Sequence, residues 1–169
     1  MTIRISGRSL GLLGLVLGLV LGLVASALVM ATGSNADPKS TPLHGTFANI
    51  QNFFAPACTS VTTICSSFVA SGSIQGTGVV DIDAAPDANG YSRAHSTITT
   101  RAGTLTCHEQ AVFDLAPQDS PHPFVDLCVI DGGTGRYAGA TGYIQEDGLF
   151  DFVAGIGSLT YDGQLNLGS

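Results

Sequence analysis

The chain has no tryptophan and few aromatic or charged residues: aromatics make up 7% of the 169 residues and charged residues 11%. Basic residues are scarcest beyond position 36, where four stand against all thirteen acidic ones and the net charge is −9. Because nucleic acids and anionic membrane surfaces attract basic proteins, we expect neither as a partner.

Motifs for covalent and metal-dependent catalysis are missing as well. The sequence has no G-x-S-x-G elbow for a serine nucleophile and no H-E-x-x-H pair for zinc. Its histidines are scattered, and the C-x6-C spacing of its first two cysteines fits no zinc finger or ribbon. The histidines are His44, His95, His108 and His122. We therefore expect no metal and no cofactor.

The first 36 residues are predicted to be an export signal. Arg4 and Arg8 precede an unbroken apolar stretch over 10–30, and small residues follow at 34–36, as at a signal peptidase site. We expect cleavage and secretion. A stretch of about 20 apolar residues can also span a bilayer, so an uncleaved anchor at the outer face of the membrane is the alternative. Such an anchor would be the protein's only membrane contact.

Beyond the leader, residues 37–42 are predicted to be a linker and 43–169 a single domain, which is long enough to bury a core. Its four cysteines are even in number and lie in the exported part, which predicts two disulfide bonds. Of the three possible pairings we favour Cys58 with Cys65, which closes a short loop. The second bond would then join Cys107 to Cys128 across neighbouring strands.

The domain is predicted to be all-β. Strand-forming residues, threonine and glycine recur in segments of about 6 to 12 residues without a helical period, which is typical of a barrel or sandwich. Asn89-Gly90 predicts a two-residue type I′ hairpin turn, because both residues tolerate positive φ. Eight strands are expected, at 43–54, 67–75, 77–83, 91–101, 103–115, 123–130, 141–153 and 156–167.

The most distinctive motif is the glycine-rich segment 132–142, which follows the apolar run 125–130. Its spacing approaches a dinucleotide-binding fingerprint. That fold needs a helix of about ten or more residues after the glycines, whereas strand-like sequence follows here. The sequence context therefore argues against a dinucleotide-binding site.

This segment resembles the Gly-Gly-Thr-Gly-aromatic-x-x-Ala-x-Gly turn of the allene oxide cyclase and dirigent-like β-barrels. The resemblance is specific over residues 128–145. It implies an eight-stranded, calycin-like antiparallel barrel with a partly open apolar cavity, and it makes a homo-oligomer an expected possibility. It also implies that the turn links two strands through a short helical kink. The structural glycines would be Gly132, Gly133, Gly135, Gly139 and Gly142.

Two acidic residues are candidate catalytic groups. Glu109 interrupts an otherwise apolar strand face, and a carboxyl group buried there needs a partner or a proton. A bulge that turns Glu109 outward is the alternative. Asp126 is ambiguous too, because Val125, Leu127 and Val129 form an apolar face that could leave Asp126 on the surface.

The second predicted disulfide sets an expected register for these two strands. If Cys107 lies directly opposite Cys128, then Glu109 faces Asp126. Leu105 would likewise face Ile130, and Ala111 would face Phe124. Two carboxyl groups on one buried face would raise the pKa of one of them, as a general acid requires. Arg93 or Arg136 could instead relieve the repulsion.

Candidate ligand-binding residues fall into two groups. Tyr91, Arg93 and His95 share one strand face, which is either a solvated surface or a polar part of the barrel mouth. Aromatic side chains would line the cavity or simply fill the core. These are Phe113 and Phe124, which we favour as ligand contacts, with Phe53, Phe54, Phe150 and Phe152.

Two functions follow from the sequence. The first is a secreted barrel that binds a small hydrophobic molecule and steers its cyclisation or coupling by shape, as the resemblance implies. The second is a non-enzymatic structural or cell-surface binding barrel with a filled core.

Overall fold

The computed structural model describes residues 40–116 and 120–168. Eight strands form one closed barrel in which each strand pairs antiparallel with its neighbours along the chain, and the last strand closes on the first. The predicted all-β, eight-stranded antiparallel barrel is confirmed. The strands are β1 (Ser40–Phe54), β2 (Ile64–Gly72), β3 (Gly76–Ala84), β4 (Tyr91–Thr100), β5 (Gly103–Phe113), β6 (His122–Gly133), β7 (Thr141–Asp151) and β8 (Ile156–Asn166).

The strands end within three residues of the bounds expected from the sequence. β1 begins at Ser40, inside the segment expected to be a linker. The predicted leader, residues 1–36, lies outside the described residues. Within the described ranges the one helix is a 3₁₀ turn, Gly135–Tyr137, and no helix there is long and apolar enough to cross a membrane.

Side chains alternate between the barrel interior and its outer surface. On β6, Asp126 and Cys128 point inward and are buried, whereas Val125, Leu127 and Val129 are about half exposed on the outside. The strand thus has two apolar faces, and periodicity alone could not choose between them. The disulfide identifies the inward face of β6, because Cys128 shares that face with Asp126.

Both predicted disulfides are present, Cys58–Cys65 and Cys107–Cys128. The expected register between β5 and β6 is wrong by two residues. Cys107 lies opposite Ile130, and Glu109 lies opposite Cys128, after a shift in pairing at Thr106 and Cys107. The disulfide therefore joins diagonal neighbours, whose Cα atoms are 5.4 Å apart. The expected register depended on the condition that Cys107 and Cys128 lie directly opposite each other, which the structure does not meet.

The predicted type I′ turn at Asn89-Gly90 is also wrong. β3 ends at Ala84 and β4 begins at Tyr91, so six residues connect them, and of the two turn residues only Gly90 has positive φ, at 84°. The carboxylate of Asp87 accepts hydrogen bonds from the backbone amides of Asn89 and Tyr91. This side chain organises a longer loop in place of the tight turn.

The two ends of the barrel differ in their connections. At one end the chain turns at 73–75, 101–102 and 134–140, and the interior beside these turns is filled; we call this the packed half. At the other end lie the connections 55–63, 85–90, 114–121 and 152–155, of which 117–119 fall outside the described residues. We call the interior beside them the cavity half.

Tyr161 is the largest fully buried side chain of the packed half. Its ring lies 4.6 Å from that of Phe47, centroid to centroid. Its hydroxyl accepts a hydrogen bond from the Ile74 amide and donates one to the Ser71 carbonyl oxygen, each 3.0 Å long. The one polar atom of this side chain is therefore satisfied on both sides. Around it pack Leu43, Ile98, Leu105, Ile130, Ile144 and Leu165.

The glycine-rich segment closes the packed half. As the resemblance implied, it joins β6 to β7 through a short helical turn, Gly135–Tyr137. Gly135 has φ of 60° and Gly142 has φ of 141°, and a Cβ atom at either would collide with backbone, at the carbonyl oxygens of Ala102 and Gln164 respectively. These two positions require glycine for conformation and for space.

Candidate functional site

A cavity of about 230 Å³ occupies the cavity half. Residues from all eight strands line it, and most of them are apolar. Its walls are formed by Phe47, Ile50, Ile64, Phe68, Val80, Ile82, Ala94, Ala111, Phe113, Phe124, Phe150, Phe152 and Leu159, with Ala85 and Pro86 from the connection between β3 and β4. Its few polar side chains are Asn52, Ser66, Ser92, Glu109, Asp126 and Glu146.

Four phenylalanines pack together on one side of this cavity, and we call Phe113, Phe124, Phe150 and Phe152 the aromatic group. The Phe113 ring is stacked on Phe124 with centroids 4.9 Å apart, and it lies 5.1 Å from Phe152. The group forms because β5 and β7 end here and β6 begins here, each with an inward-facing phenylalanine, while Phe152 comes from the connection after β7. It gives the cavity an apolar aromatic wall.

Three carboxyl groups, Glu109, Asp126 and Glu146, lie in the same cavity, and we call them the carboxyl cluster. They come from adjacent strands, β5, β6 and β7, and only 7%, 8% and 5% of their respective surfaces are exposed. Asp126 is directly opposite Glu146. Glu109 and Asp126 are diagonal neighbours, like the two bonded cysteines one layer closer to the packed half. Both acidic residues singled out from the sequence thus point inward.

Burial raises the pKa of all three carboxyl groups. Desolvation raises the pKa of Glu109 to about 8, reinforced by the charge of Asp126 and opposed by a hydrogen bond with Ser96. Desolvation also raises the pKa of Asp126 to about 6, against the backbone amides of Leu127 and Gln110. The pKa of Glu146 is raised well above its usual range by desolvation and by the other two carboxyl groups. At neutral pH the cluster therefore retains protons inside an apolar cavity.

One oxygen of the cluster has no hydrogen-bond partner. Among the described residues, Oδ1 of Asp126 is fully buried and accepts no hydrogen bond. Leaving a buried acceptor unpaired costs about 1 to 3 kcal/mol. The two basic residues considered as neutralising partners lie elsewhere, since Arg93 is exposed on the outer face of β4 and Arg136 is exposed in the 3₁₀ turn at the opposite end.

The structure places the predicted ligand contacts in two regions. Phe113 and Phe124 line the cavity. Tyr91, Arg93 and His95 lie on the outer face of β4. There His95 lies 3.5 Å from a carboxylate oxygen of Asp81 and 3.2 Å from one of Asp83. Phe53 and Phe54 also lie outside the cavity lining.

Sequence reasoning missed Glu146, Phe47 and Phe68. A signal for Glu146 was present, because it shares its strand face with the apolar Ile144 and Phe150, as Glu109 does with its apolar neighbours. Phe47 and Phe68 lie on β1 and β2, far in sequence from the other cavity residues. Only closure of the barrel brings them to the same space.

Among the described cavity residues, potential metal ligands do not form a close group. Among the described residues, the one close group of potential ligand atoms is Cys58, Cys65 and Asp81, and its two cysteines are bonded to each other. A disulfide sulfur has no thiolate to offer a metal. The carboxyl cluster is not drawn together as tightly as that group.

Comparison with protein-family models, curated proteins and solved structures finds no match to this chain. The resemblance to the allene oxide cyclase and dirigent-like barrels thus rests on the glycine-rich turn alone.

Proposed function

We propose that this protein binds one small apolar molecule in the cavity half of its barrel. The observation that carries the proposal is the cavity of about 230 Å³, walled by the aromatic group and bearing the carboxyl cluster. Small-molecule sites are typically concave and apolar with a few convergent polar groups. Pockets for drug-sized ligands begin at about 300 Å³, so the ligand we propose is smaller than these.

The carboxyl cluster would orient the ligand. An apolar molecule held only by hydrophobic walls can rotate, whereas a polar end directed at Asp126 would fix which way it enters. Carboxyl groups that keep protons at neutral pH can also donate a proton to a bound molecule. Cyclisation or coupling steered by cavity shape and assisted by proton donation is the reaction class we propose, by analogy with the barrels that the glycine-rich turn resembles.

Export from the cell is part of the same proposal. Two disulfide bonds are typical of proteins that fold in an oxidising, extracellular-type environment. We propose that the chain acts outside the cell, either released or held by its apolar N-terminal segment.

The alternative is a barrel without a ligand that serves as a structural or cell-surface binding protein. The packed half supports this alternative, because its filled interior already stabilises the fold. The two functions differ in one measurable respect, namely whether the cavity half takes up a small molecule.

Binding can be tested on the full chain purified from an exporting host, so that both disulfides form. Native mass spectrometry would reveal a co-purifying small molecule, and NMR titration with octan-1-ol would measure uptake by the cavity. We expect one molecule per barrel and chemical-shift changes at the aromatic group.

A matched pair of variants localises the binding. Ala111 lines the cavity and its neighbour Val112 is on the outer surface, so Ala111→Phe should abolish octan-1-ol binding while Val112→Phe should not. Melting curves of both variants would show that each is folded. Absence of octan-1-ol binding to the parent protein, together with no co-purifying molecule, would favour the structural barrel.

A further inference from the structure

The carboxyl cluster has no basic partner among the described residues. The cavity-facing and adjoining side chains of β4 are Ser92, Ala94 and Ser96, and β8 contributes Leu159 and Tyr161. On β1, β2 and β3 the side chains that line the cavity are apolar or uncharged. Besides the three acids, Tyr161 is the one titratable group of this interior, with its pKa raised by desolvation and by Glu146. Nothing in the described interior can neutralise a carboxylate there.

The unpaired Oδ1 of Asp126 calls for a donor from outside the chain. In the packed half, by contrast, the buried Tyr161 hydroxyl has both a donor and an acceptor. An acceptor that is more than nine-tenths buried, unpaired and on the wall of a cavity is the arrangement expected where a ligand supplies the missing hydrogen bond. The ligand group at this point must therefore be a hydrogen-bond donor.

The surroundings favour a positively charged donor. A hydroxyl offers one proton and no charge, whereas an ammonium group offers three donors and a charge opposite to that of the cluster. A hydrogen bond with an ionised donor or acceptor is about twice as strong as a neutral one, and an ammonium ion adds a direct attraction between its charge and the ionised carboxylates. The aromatic group beside the cluster adds faces that attract cations. A ligand carboxylate would instead repel the cluster.

We propose that the cavity ligand is a small apolar molecule ending in a primary amine, bound as the ammonium ion with its charged end at Asp126, Glu109 and Glu146. This inference rests on the proposed binding function and specifies its ligand class. The apolar body lies against the aromatic group. The ammonium group donates to Asp126 and replaces the protons that the cluster holds when the cavity is free of ligand. Binding therefore releases protons and tightens as the pH rises.

Three probes of equal chain length test the charge of the ligand: octylamine, octan-1-ol and octanoate. Their binding to the full, exported chain is measured by isothermal titration calorimetry. We expect octylamine to bind at least about tenfold more tightly than octan-1-ol near neutral pH, and octanoate to bind most weakly. Between about pH 6 and 9 the octylamine affinity should rise, because the amine stays charged while the cluster loses its protons.

Matched variants locate the charged end. Glu146→Gln should weaken octylamine binding about tenfold and leave octan-1-ol binding within about twofold. Asp147→Asn, the next residue on β7, serves as the control because its side chain is exposed on the outer surface. It should change neither affinity. If loss of Asp147 weakened octylamine binding as much as loss of Glu146, attraction to the acidic surface would explain the data and the inference would fail.

The relative affinities of the three probes for the parent protein test the inference even if a variant fails to fold. Equal affinities for octylamine and octan-1-ol would overturn the amine but leave the binding function standing. Tightest binding of octanoate would also overturn it, because the cluster would then act as a set of protonated donors. Binding of none of the three probes would remove the binding function together with the inference.

Discussion

Two buried polar groups have opposite surroundings in this barrel. The hydroxyl of Tyr161 in the packed half has a backbone donor and a backbone acceptor, and large apolar side chains fill the space around it. Oδ1 of Asp126 in the cavity half has no partner, and a cavity lies beside it. The Tyr161 hydroxyl is thus satisfied within the chain, whereas Oδ1 of Asp126 is the atom that the proposed ligand would satisfy.

The two halves of the barrel therefore differ in packing and in buried charge. The packed half combines full packing with the tight glycine-rich turn, and the Cys107–Cys128 disulfide lies between it and the carboxyl cluster. The cavity half keeps three acids buried at a cost in free energy. The closed barrel remains stable despite this cost because its other half is well packed.

Truncation of one leucine in each half should lower the free energy of unfolding by different amounts. Leu105 is 0% exposed in the packed half, so Leu105→Ala should lower the free energy of unfolding by about 3 to 5 kcal/mol. Leu159 borders the existing cavity, where fewer atoms surround it, so Leu159→Ala should cost about 2 kcal/mol. Urea unfolding of both variants measures this. Equal losses would mean that the two halves are equally packed.

The pH dependence of stability should come from the cavity half. The unfolded chain releases the cluster's protons in the ordinary carboxyl range, near 4.5 for glutamate, whereas folding raises the pKa of Glu109 to about 8. The folded state binds more protons in between, so these groups stabilise it most below about pH 4.5, and that contribution declines as the pH rises through about 8. We expect a total loss on the order of a few kcal/mol.

Thermal melting between these pH values checks this prediction. Glu109→Gln should flatten the decline, because glutamine releases no proton. Asp147→Asn, on the outer face of β7, should leave the decline unchanged. A decline of the same size in the parent and in Glu109→Gln would show that Glu109 titrates normally.

Two glycines at opposite ends of the barrel should differ in how much stability is lost when each is replaced. Gly135 and Gly155 both have positive φ, at 60° and 68°. A Cβ at Gly135 would strike the Ala102 carbonyl oxygen, whereas at Gly155 its nearest neighbour is Cβ of Asn52, 3.5 Å away. Gly155→Ala should cost about 1 kcal/mol for its conformation alone, and Gly135→Ala about 2 to 3 kcal/mol. Similar melting temperatures for the two variants would mean that the turn end is not crowded.

Removal of the two contrasted polar groups should have effects of opposite sign. Tyr161→Phe leaves the Ile74 amide and the Ser71 carbonyl without their partner and should cost about 1 to 3 kcal/mol. Asp126→Asn removes a charge that no residue neutralises, so at about pH 8 it should stabilise the fold by about 1 kcal/mol. Chemical denaturation at that pH measures both. A destabilised Asp126→Asn would show that the backbone amides of Leu127 and Gln110 outweigh the cost of burying this charge.

Local sequence was enough to predict much of the barrel. The alternation of strand residues gave eight segments close to the observed strands, because each strand's two faces meet different environments. The glycine-rich segment predicted its turn because positive φ and close backbone contact both require glycine. Cysteine count and spacing favoured the pairing that is observed.

Other features depend on contacts that no single segment contains. The sequence placed Glu109 and Asp126 on one face only on condition of the second disulfide. It predicted a direct rather than a diagonal relation between them, because no local signal shows that the bonded cysteines are diagonal neighbours. The loop organised by Asp87 was likewise not predicted, because an Asn-Gly pair is typical of a two-residue hairpin turn.

Local sequence predicted the strands, since these follow from backbone preferences and side-chain alternation over short stretches. The resemblance of the glycine-rich segment implied its turn, and the cysteine positions favoured the observed disulfide pairs among three possible pairings. Only the tertiary structure decided that Glu146 joins Glu109 and Asp126, and that Phe47 and Phe68 complete the cavity with the aromatic group. These residues meet because eight antiparallel strands close into a ring in which the register of each pair fixes the height of its side chains. Their shared burial, and with it the raised pKa values of the cluster, is a property of that closure.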